Sequence, residues 1–158
     1  MPSLLRLILV GLAVGCWSSQ EGPFEGQEAP AFNAGTMAGT SFEFDRLKGK
    51  PTMLVFWASW CGPCRQEAPD VVKVHKSYGT RINLVGINAG EKMVIAQRAA
   101  QQMGIAWPVA MDVDGTIQRL YKVSGIPMVL ILDENGVVRH RNNGVPSDVH
   151  RLLDGLLG

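Results

Sequence analysis

Two cysteines separated by two residues are the most reactive feature of this 158-residue sequence. They are Cys61 and Cys64, in the segment Trp60-Cys61-Gly62-Pro63-Cys64. When such a pair begins a helix, the free backbone N–H groups and the helix dipole lower the pKa of the first thiol, and the second thiol lies one turn away. Cys61 can then attack a disulfide, and Cys64 can release the product by attacking Cys61. The spacing predicts a reversible dithiol.

Other roles for the pair find less support in the sequence. Zinc needs four ligands, but there is no second Cys-x-x-Cys pair, and His75, His140 and His150 are scattered along the chain. Covalent haem attachment needs a histidine directly after the second cysteine, where Arg65 stands. A purely structural disulfide closing so short a loop would stabilise the fold little. We therefore expect no metal site, although two thiols can hold Cu(I), which keeps a metallochaperone as an alternative.

The pair lies between a predicted strand and a predicted helix. The apolar run from Thr52 to Trp57 is typical of a central strand, and Pro63 suits the first turn of a helix that extends to about Tyr78. Asn135-Gly136 predicts a hairpin. Further strands are predicted at 82–87, 109–111, 128–132 and 137–141, and helices at 91–103, 116–121 and from 149 onward. This alternation indicates an α/β domain.

Length and charge exclude several classes of protein. At about 100 to 200 residues per domain, the chain has room for one globular domain. The 15 Lys and Arg residues balance 14 Asp and Glu residues, for a net charge of +1. Because there is no basic run to attract a polyanion, we expect no nucleic-acid partner. A domain of this size needs no disulfide scaffold, which leaves its three cysteines free for chemistry.

The N-terminus is typical of an exported protein. Arg6 precedes an apolar run from Leu7 to Val14, which is too short for a membrane-spanning helix. The residues before Cys16 resemble a bacterial lipobox, except that Ala13 stands where leucine is usual. We predict a lipoprotein signal peptide at 1–15, lipid on Cys16, a flexible tether at 16–25 and one domain at 26–158. An ordinary signal peptide, or an uncleaved anchor with Cys16 as a spectator, is the alternative.

The segment around the dithiol carries a family resemblance. Residues 56–65, Phe-Trp-Ala-Ser-Trp-Cys-Gly-Pro-Cys-Arg, resemble the active-site segment of the thioredoxin superfamily. Residues 65–69, Arg-Gln-Glu-Ala-Pro, resemble the extracytoplasmic TlpA/ResA branch, and so do Ala29–Phe32, Leu47–Lys50 and Gly125–Pro127. The resemblance covers about residues 26–158. It implies a thioredoxin-like fold, a mixed central β-sheet flanked by helices, with an N-terminal extension and a strand-helix insertion at 88–107.

The resemblance also implies roles for individual residues. Pro127 is expected to be a cis-proline that faces the dithiol. Pro127 and the preceding Ile126 are expected to bind the substrate, with the backbone beside the proline pairing with it. Trp60, Gly62 and Pro63 are expected to contribute to the substrate-binding surface around Cys61.

Glu67 is the expected acid/base of the site. Plain thioredoxin has a buried aspartate where Val55 stands here, and Glu67 resembles the glutamate that the ResA-like branch uses near its dithiol. We expect Glu67 to deprotonate Cys64. The alternative is a solvated helix glutamate that pairs with Arg65 or Lys73.

The function implied is that of a membrane-tethered, periplasm-facing thiol-disulfide oxidoreductase. Gly62-Pro63 and Ile126 match reducing thioredoxin, which favours a reductase of protein disulfides, with apocytochrome c in cytochrome c maturation as the specific substrate. We expect a monomer that uses no cofactor beyond its redox-active disulfide and takes electrons from a membrane-embedded donor. A peroxiredoxin-like peroxidase is the alternative, although that family has Thr or Ser where Ala58 stands.

Overall fold

The computed structural model describes residues 23–158, so the predicted signal peptide and Cys16 lie outside the described residues. The strands are β1 (Asn33–Gly35), β2 (Ser41–Glu43), β3 (Thr52–Trp57), β4 (Asn83–Ala89), β5 (Val109–Asp112), β6 (Met128–Leu132) and β7 (Val138–Asn142). The helices are α1 (Gly62–Tyr78), α2 (Met93–Met103), α3 (Thr116–Leu120) and α4 (Val149–Leu157). Among these residues, no helix has both the length and the apolar character needed to cross a membrane.

Five of the strands form one mixed sheet in the order β5-β4-β3-β6-β7. Strands β3, β4 and β5 are parallel, whereas β6 runs antiparallel to β3 and β7 antiparallel to β6. The predicted strands at 52–57 and 128–132 are confirmed residue for residue. Helices cover both faces, so the mixed sheet flanked by helices that the family resemblance implied is confirmed.

The central strand β3 divides the core between the two faces of the sheet. Its alternating side chains send Leu54 and Phe56 to one face and Met53 and Val55 to the other. The first face packs against α3 and the N-terminal extension, and the second packs against α1 and α4. All six residues of β3 are buried, which explains why its sequence is a continuous apolar run.

The N-terminal extension contains the hairpin of β1 and β2, which was not predicted as strands. Each strand has three residues, too few for a recognisable alternating pattern. Aromatic contacts hold the extension to the domain: the ring of Phe32 lies 5.2 Å from Phe42, 5.4 Å from Phe44 and 5.8 Å from Tyr121. The backbone N–H of Met37 also donates to the carbonyl of Val109 in β5.

The turn between β6 and β7 differs in detail from the predicted hairpin. The second strand begins at Val138 instead of Val137, because the carboxylate of Asp133 accepts hydrogen bonds from the backbone N–H groups of Asn135 and Val137. Burial alone would raise the pKa of Asp133, but these bonds and the contact with Arg139 hold that pKa below its ordinary value. Positive φ is confined to Gly136 within the turn.

The first turn of the predicted helix at 91–103 is also different. Helix α2 begins at Met93, since Glu91 is buried and uses its carboxylate elsewhere. The C-terminus is as predicted, with Gly104 in the left-handed conformation. The expected insertion at 88–107 contains the last two residues of β4 and all of α2.

Gly86 in β4 is required for packing inside the sheet. A Cβ atom at this position would lie 3.0 Å from Nε1 of Trp57 and 3.1 Å from Cγ2 of Val109, both of which are buried. We expect Gly86→Ala to lower the free energy of unfolding by about 1–3 kcal/mol through overpacking. Urea denaturation measures the change.

The matched control is Gly35→Ala in β1, where an added Cβ would meet nothing within 4 Å. This variant should change stability by no more than about 0.5 kcal/mol. Equal losses in the two variants would contradict the packing argument.

Candidate active site

The cysteine pair lies where β3 gives way to α1. Cys61 is the N-cap of the helix, and its Sγ accepts a hydrogen bond from the backbone N–H of Cys64 at 3.1 Å. Pro63 follows in the first turn, where its missing N–H costs no helical hydrogen bond. The two sulfur atoms form a disulfide with a Cα–Cα distance of 5.3 Å. The free N–H groups of this helix terminus would stabilise a thiolate on Cys61 after reduction.

The surface around the pair is unevenly exposed. Each cysteine exposes only 4% of its surface, whereas the side chain of Trp60 is 66% exposed. Gly62 and Pro63 are exposed as well. A partner protein would therefore meet Trp60, Gly62 and Pro63 around Cys61; their part in substrate binding stays a prediction.

Pro127 reaches the same end of the sheet from the opposite direction. Because β6 is antiparallel to β3 and Met128 pairs with Phe56, Pro127 lies beside the carboxyl end of β3. The Ile126–Pro127 bond is cis, as predicted. Pro127 and Cys64 line one small cavity. The structure thus brings Pro127 to the dithiol, while the substrate-binding role of Ile126 and Pro127 stays a prediction.

Glu67 lies one helical turn after Cys64 and lines the same cavity, which has a volume of about 20 Å³. Its Oε1 accepts a hydrogen bond from the backbone N–H of Val145 at 3.3 Å. Burial raises the pKa of Glu67, the Val145 bond counteracts the rise, and the nearby charge of Asp70 adds to it. The carboxyl group is therefore a better proton acceptor than an ordinary surface glutamate.

The alternative ion pairs of Glu67 are not formed in the described part of the chain. Lys73 donates to Asp70 at 2.7 Å, and the guanidinium of Arg65 donates to the carbonyl oxygen of Ser59.

Gly144 is a site residue that the sequence analysis missed. It has a φ of +100°, and a Cβ atom there would lie 1.9 Å from Oε1 of Glu67. Only glycine leaves room for the carboxylate and adopts this backbone conformation without strain. Its position two residues after β7 was the available signal, because β7 ends at the same end of the sheet as the dithiol.

A second missed group holds the loop that leads into Cys61. Glu91 is only 7% exposed, and its carboxylate accepts hydrogen bonds from the backbone N–H of Ser59 at 2.8 Å and from the Ser59 hydroxyl. Asn88 donates to the same carboxylate at 2.7 Å. Glu91 follows β4 at the carboxyl end of the parallel strands, where α/β proteins commonly place functional groups. A charged residue at that position was the signal.

Two aromatic residues and the metal-ligating side chains are the remaining site candidates. Trp107 and Tyr121 are buried packing residues. Residues 23–158 contain no group of three or more His, Cys, Asp or Glu side chains arranged to hold a metal ion.

Comparisons with known proteins agree with this geometry. Residues 25–141 match the model of the AhpC/TSA family. The thioredoxin-like protein YneN of Bacillus subtilis is 36% identical over 98% of this chain and 96% of its own length. The thiol-disulfide oxidoreductase ResA of the same organism is 30% identical over 77% of this chain and 69% of its own length.

A solved structure shows the same fold. A secreted disulfide oxidoreductase of Mycobacterium tuberculosis, described as homologous to Escherichia coli DsbE, superposes with a TM-score of 0.68 at 27% identity. The match covers 80% of this chain and 93% of that one. The chain has its disulfide at the start of α1, beside a cis-proline. It therefore belongs to the AhpC/TSA family and is a thioredoxin-like thiol-disulfide oxidoreductase.

Proposed function

We propose that this oxidoreductase is a membrane-tethered, extracytoplasmic reductase of protein disulfides. The observation that carries the proposal is the disulfide at the N-cap of α1, with Pro127 beside it, lining one cavity with Cys64. Trp60, Gly62 and Pro63 are exposed around Cys61, so a partner protein can contact this surface. The finer assignment of the substrate, apocytochrome c before haem attachment, rests on the resemblance to the ResA branch.

The reaction begins with the thiolate of Cys61. It attacks one sulfur of the substrate disulfide, so that this S–S bond breaks and a Cys61–substrate bond forms. The other substrate sulfur leaves as a thiolate and takes up a proton. Cys64 then attacks Sγ of Cys61, which forms the Cys61–Cys64 disulfide and releases the second substrate sulfur. The substrate gains two electrons, and the protein is oxidised.

Glu67 is proposed as the base for the second step. It lines the cavity next to Cys64, and its raised pKa suits it to accept the thiol proton and later return it. Gly144 leaves the carboxylate the space that it occupies.

A new cycle needs two electrons from a dithiol donor outside the cytoplasm. We propose a donor embedded in the membrane, because an oxidising compartment supplies no soluble thiol pool that would keep the pair reduced. The apolar run before Cys16 and the polar segment after it support the proposed lipid anchor and tether.

Replacing the second cysteine should trap the reaction half-way. In Cys64→Ser, Cys61 still attacks a substrate disulfide, but nothing resolves the product. We expect mixed disulfides with exported proteins to accumulate in a bacterial host, and insulin-disulfide reduction to fall to the level of Cys61→Ser/Cys64→Ser. Non-reducing gels and mass spectrometry identify the captured proteins.

The single variant Cys61→Ser is the control, since it should capture nothing. Capture through Cys64 but not Cys61 would contradict the assigned nucleophile. Captured apocytochromes would support the finer substrate assignment, and their absence would contradict it.

Replacing Glu67 should slow the resolving step without lowering the stability of the fold. For Glu67→Gln we expect mixed-disulfide resolution at pH 7 to slow by about 10²-fold, the general-base contribution. The rate should then rise steadily with pH, because without the carboxylate the Cys64 thiol loses its proton only to solvent. Stopped-flow kinetics across pH 5–10 measure both effects.

Thermal unfolding separates this effect from a structural one. A raised carboxyl pKa gives stability that is present below the ordinary value of 4.5 and is lost as pH rises through the folded-state value. At pH 7 the ionised Glu67 is therefore the less favourable form, and glutamine should leave the melting temperature unchanged or raise it. Glu134→Gln, on an exposed turn, is the control; an identical pH profile in Glu67→Gln and wild type would refute the role.

The lipid anchor is tested at Cys16. In a bacterial host we expect the wild-type chain to incorporate labelled fatty acid and to sediment with membranes. Cys16→Ala should lose the label and the sedimentation while keeping insulin reductase activity, because the dithiol is in the separate domain. Membrane retention of the unlabelled variant would instead identify an uncleaved anchor.

A further inference from the structure

A groove lies between α1 and α2, beside the dithiol. Its volume is about 450 Å³. Ser59, two residues before Cys61, lines it at one place, and Arg65, next to Cys64, lines it at another. The opposite wall is formed by Val94, Ile95 and Arg98 of α2. A chain attached to Cys61 through a disulfide would thus have this groove directly next to it.

The wall formed by α2 is unusually apolar for a surface. This helix buries its small residues Ala96, Ala99 and Ala100, while the larger side chains of Val94 and Ile95 are 65% and 47% exposed. Folding favours the opposite arrangement, because a buried Val or Ile contributes more hydrophobic free energy than a buried Ala. Met93, before them, is exposed as well. Large exposed apolar side chains at the edge of a groove are typical of a contact surface.

The charges in the groove are of one sign. Arg65 and Arg98 both line it, and within residues 23–158 neither guanidinium forms an ion pair with a carboxylate. Glu91, the carboxylate that contacts Ser59, is buried and already accepts hydrogen bonds from Ser59 and Asn88. Two arginines beside an apolar wall complement a ligand with both a carboxylate and an apolar side chain.

We propose that this groove binds the substrate polypeptide next to its reacting cysteine and selects a segment that carries an acidic and an apolar side chain. The inference rests on the proposed function, in which the substrates are protein disulfides. The carboxylate of the segment pairs with Arg98 and Arg65, and its apolar side chain covers Val94 and Ile95. The cis-proline side of the dithiol then holds the other side of the substrate cysteine.

The test compares disulfide peptides that differ only beside the cysteine. One peptide has Glu-Leu next to its cysteine, a second has Lys-Leu and a third has Gln-Ser; 2-hydroxyethyl disulfide is the neutral small substrate that cannot fill the groove. We expect kcat/KM to be about 5- to 10-fold higher for the Glu-Leu peptide than for the Lys-Leu peptide, as for a few exposed charge pairs. The preference should shrink towards one at about 1 M salt.

Surface variants assign the preference to the groove. Arg98→Glu should abolish or reverse the preference, and Ile95→Ser should lower kcat/KM for the two leucine peptides but not for the Gln-Ser peptide. Neither should change the reduction of 2-hydroxyethyl disulfide. The controls are Lys76→Glu, which makes the same charge change near the far end of α1, and Val113→Ser, which replaces an exposed apolar residue outside the groove.

The outcomes separate this inference from the function beneath it. Equal kcat/KM for all three peptides, or the same loss in Lys76→Glu as in Arg98→Glu, overturns the groove while leaving the reductase intact. A change of oligomeric state in Arg98→Glu or Ile95→Ser, measured by light scattering, identifies a second copy of the chain as the occupant and also overturns it. Failure of the wild type to reduce 2-hydroxyethyl disulfide overturns the proposed function and the inference together.

Discussion

The pairing of β3 with β6 is the constraint on which the rest of the site depends. Strand β3 delivers the dithiol at its carboxyl end, and β6, running the other way, starts at that same end. The register that sets Phe56 opposite Met128 leaves Pro127 at the level of Trp57, the last residue of β3. A one-residue slip would reverse the faces of β6 and bury its side chains against the wrong helices. Core packing and the placement of Pro127 are therefore fixed by the same hydrogen bonds.

The fold both gives Glu67 a hydrogen-bond donor and disfavours the ionised form of its carboxyl group. Partial burial beside the cavity disfavours the ionised form, and the N–H of Val145 compensates only in part. The space for the group comes from Gly144, which reaches this point because β7 is antiparallel to β6 and ends beside the start of β6. Glu67, the proposed acid/base on α1, thus depends on Gly144, which is 77 positions away in the sequence.

The features that were predictable from the sequence are those that a short segment determines by itself. Thr52–Trp57 is buried on both faces, so its apolar run is unambiguous, and Pro63 marks the start of α1 within one residue. The predicted start of α2 at Glu91 was wrong, because this residue, although a good helix former, accepts hydrogen bonds from Ser59, 32 residues earlier. No local pattern contains that contact. Gly144 was missed for the same reason. A Cβ atom is excluded at this position by Glu67, which lies on another element.

The region at 88–107 both holds the loop before Cys61 and presents exposed apolar side chains beside it. The buried carboxylate of Glu91 holds Ser59 through two hydrogen bonds, and two residues later α2 begins with large apolar side chains that face outward. If α2 served only to cover the sheet, Val94 and Ile95 would be expected inside and the alanines outside. The helix is instead attached through its small residues, which lets it lie close to Trp57 and the cysteines. Val94 and Ile95 are thereby left to contact the substrate polypeptide. The segment from Glu91 to Ile95 then both holds the active-site loop and faces the substrate that reacts there.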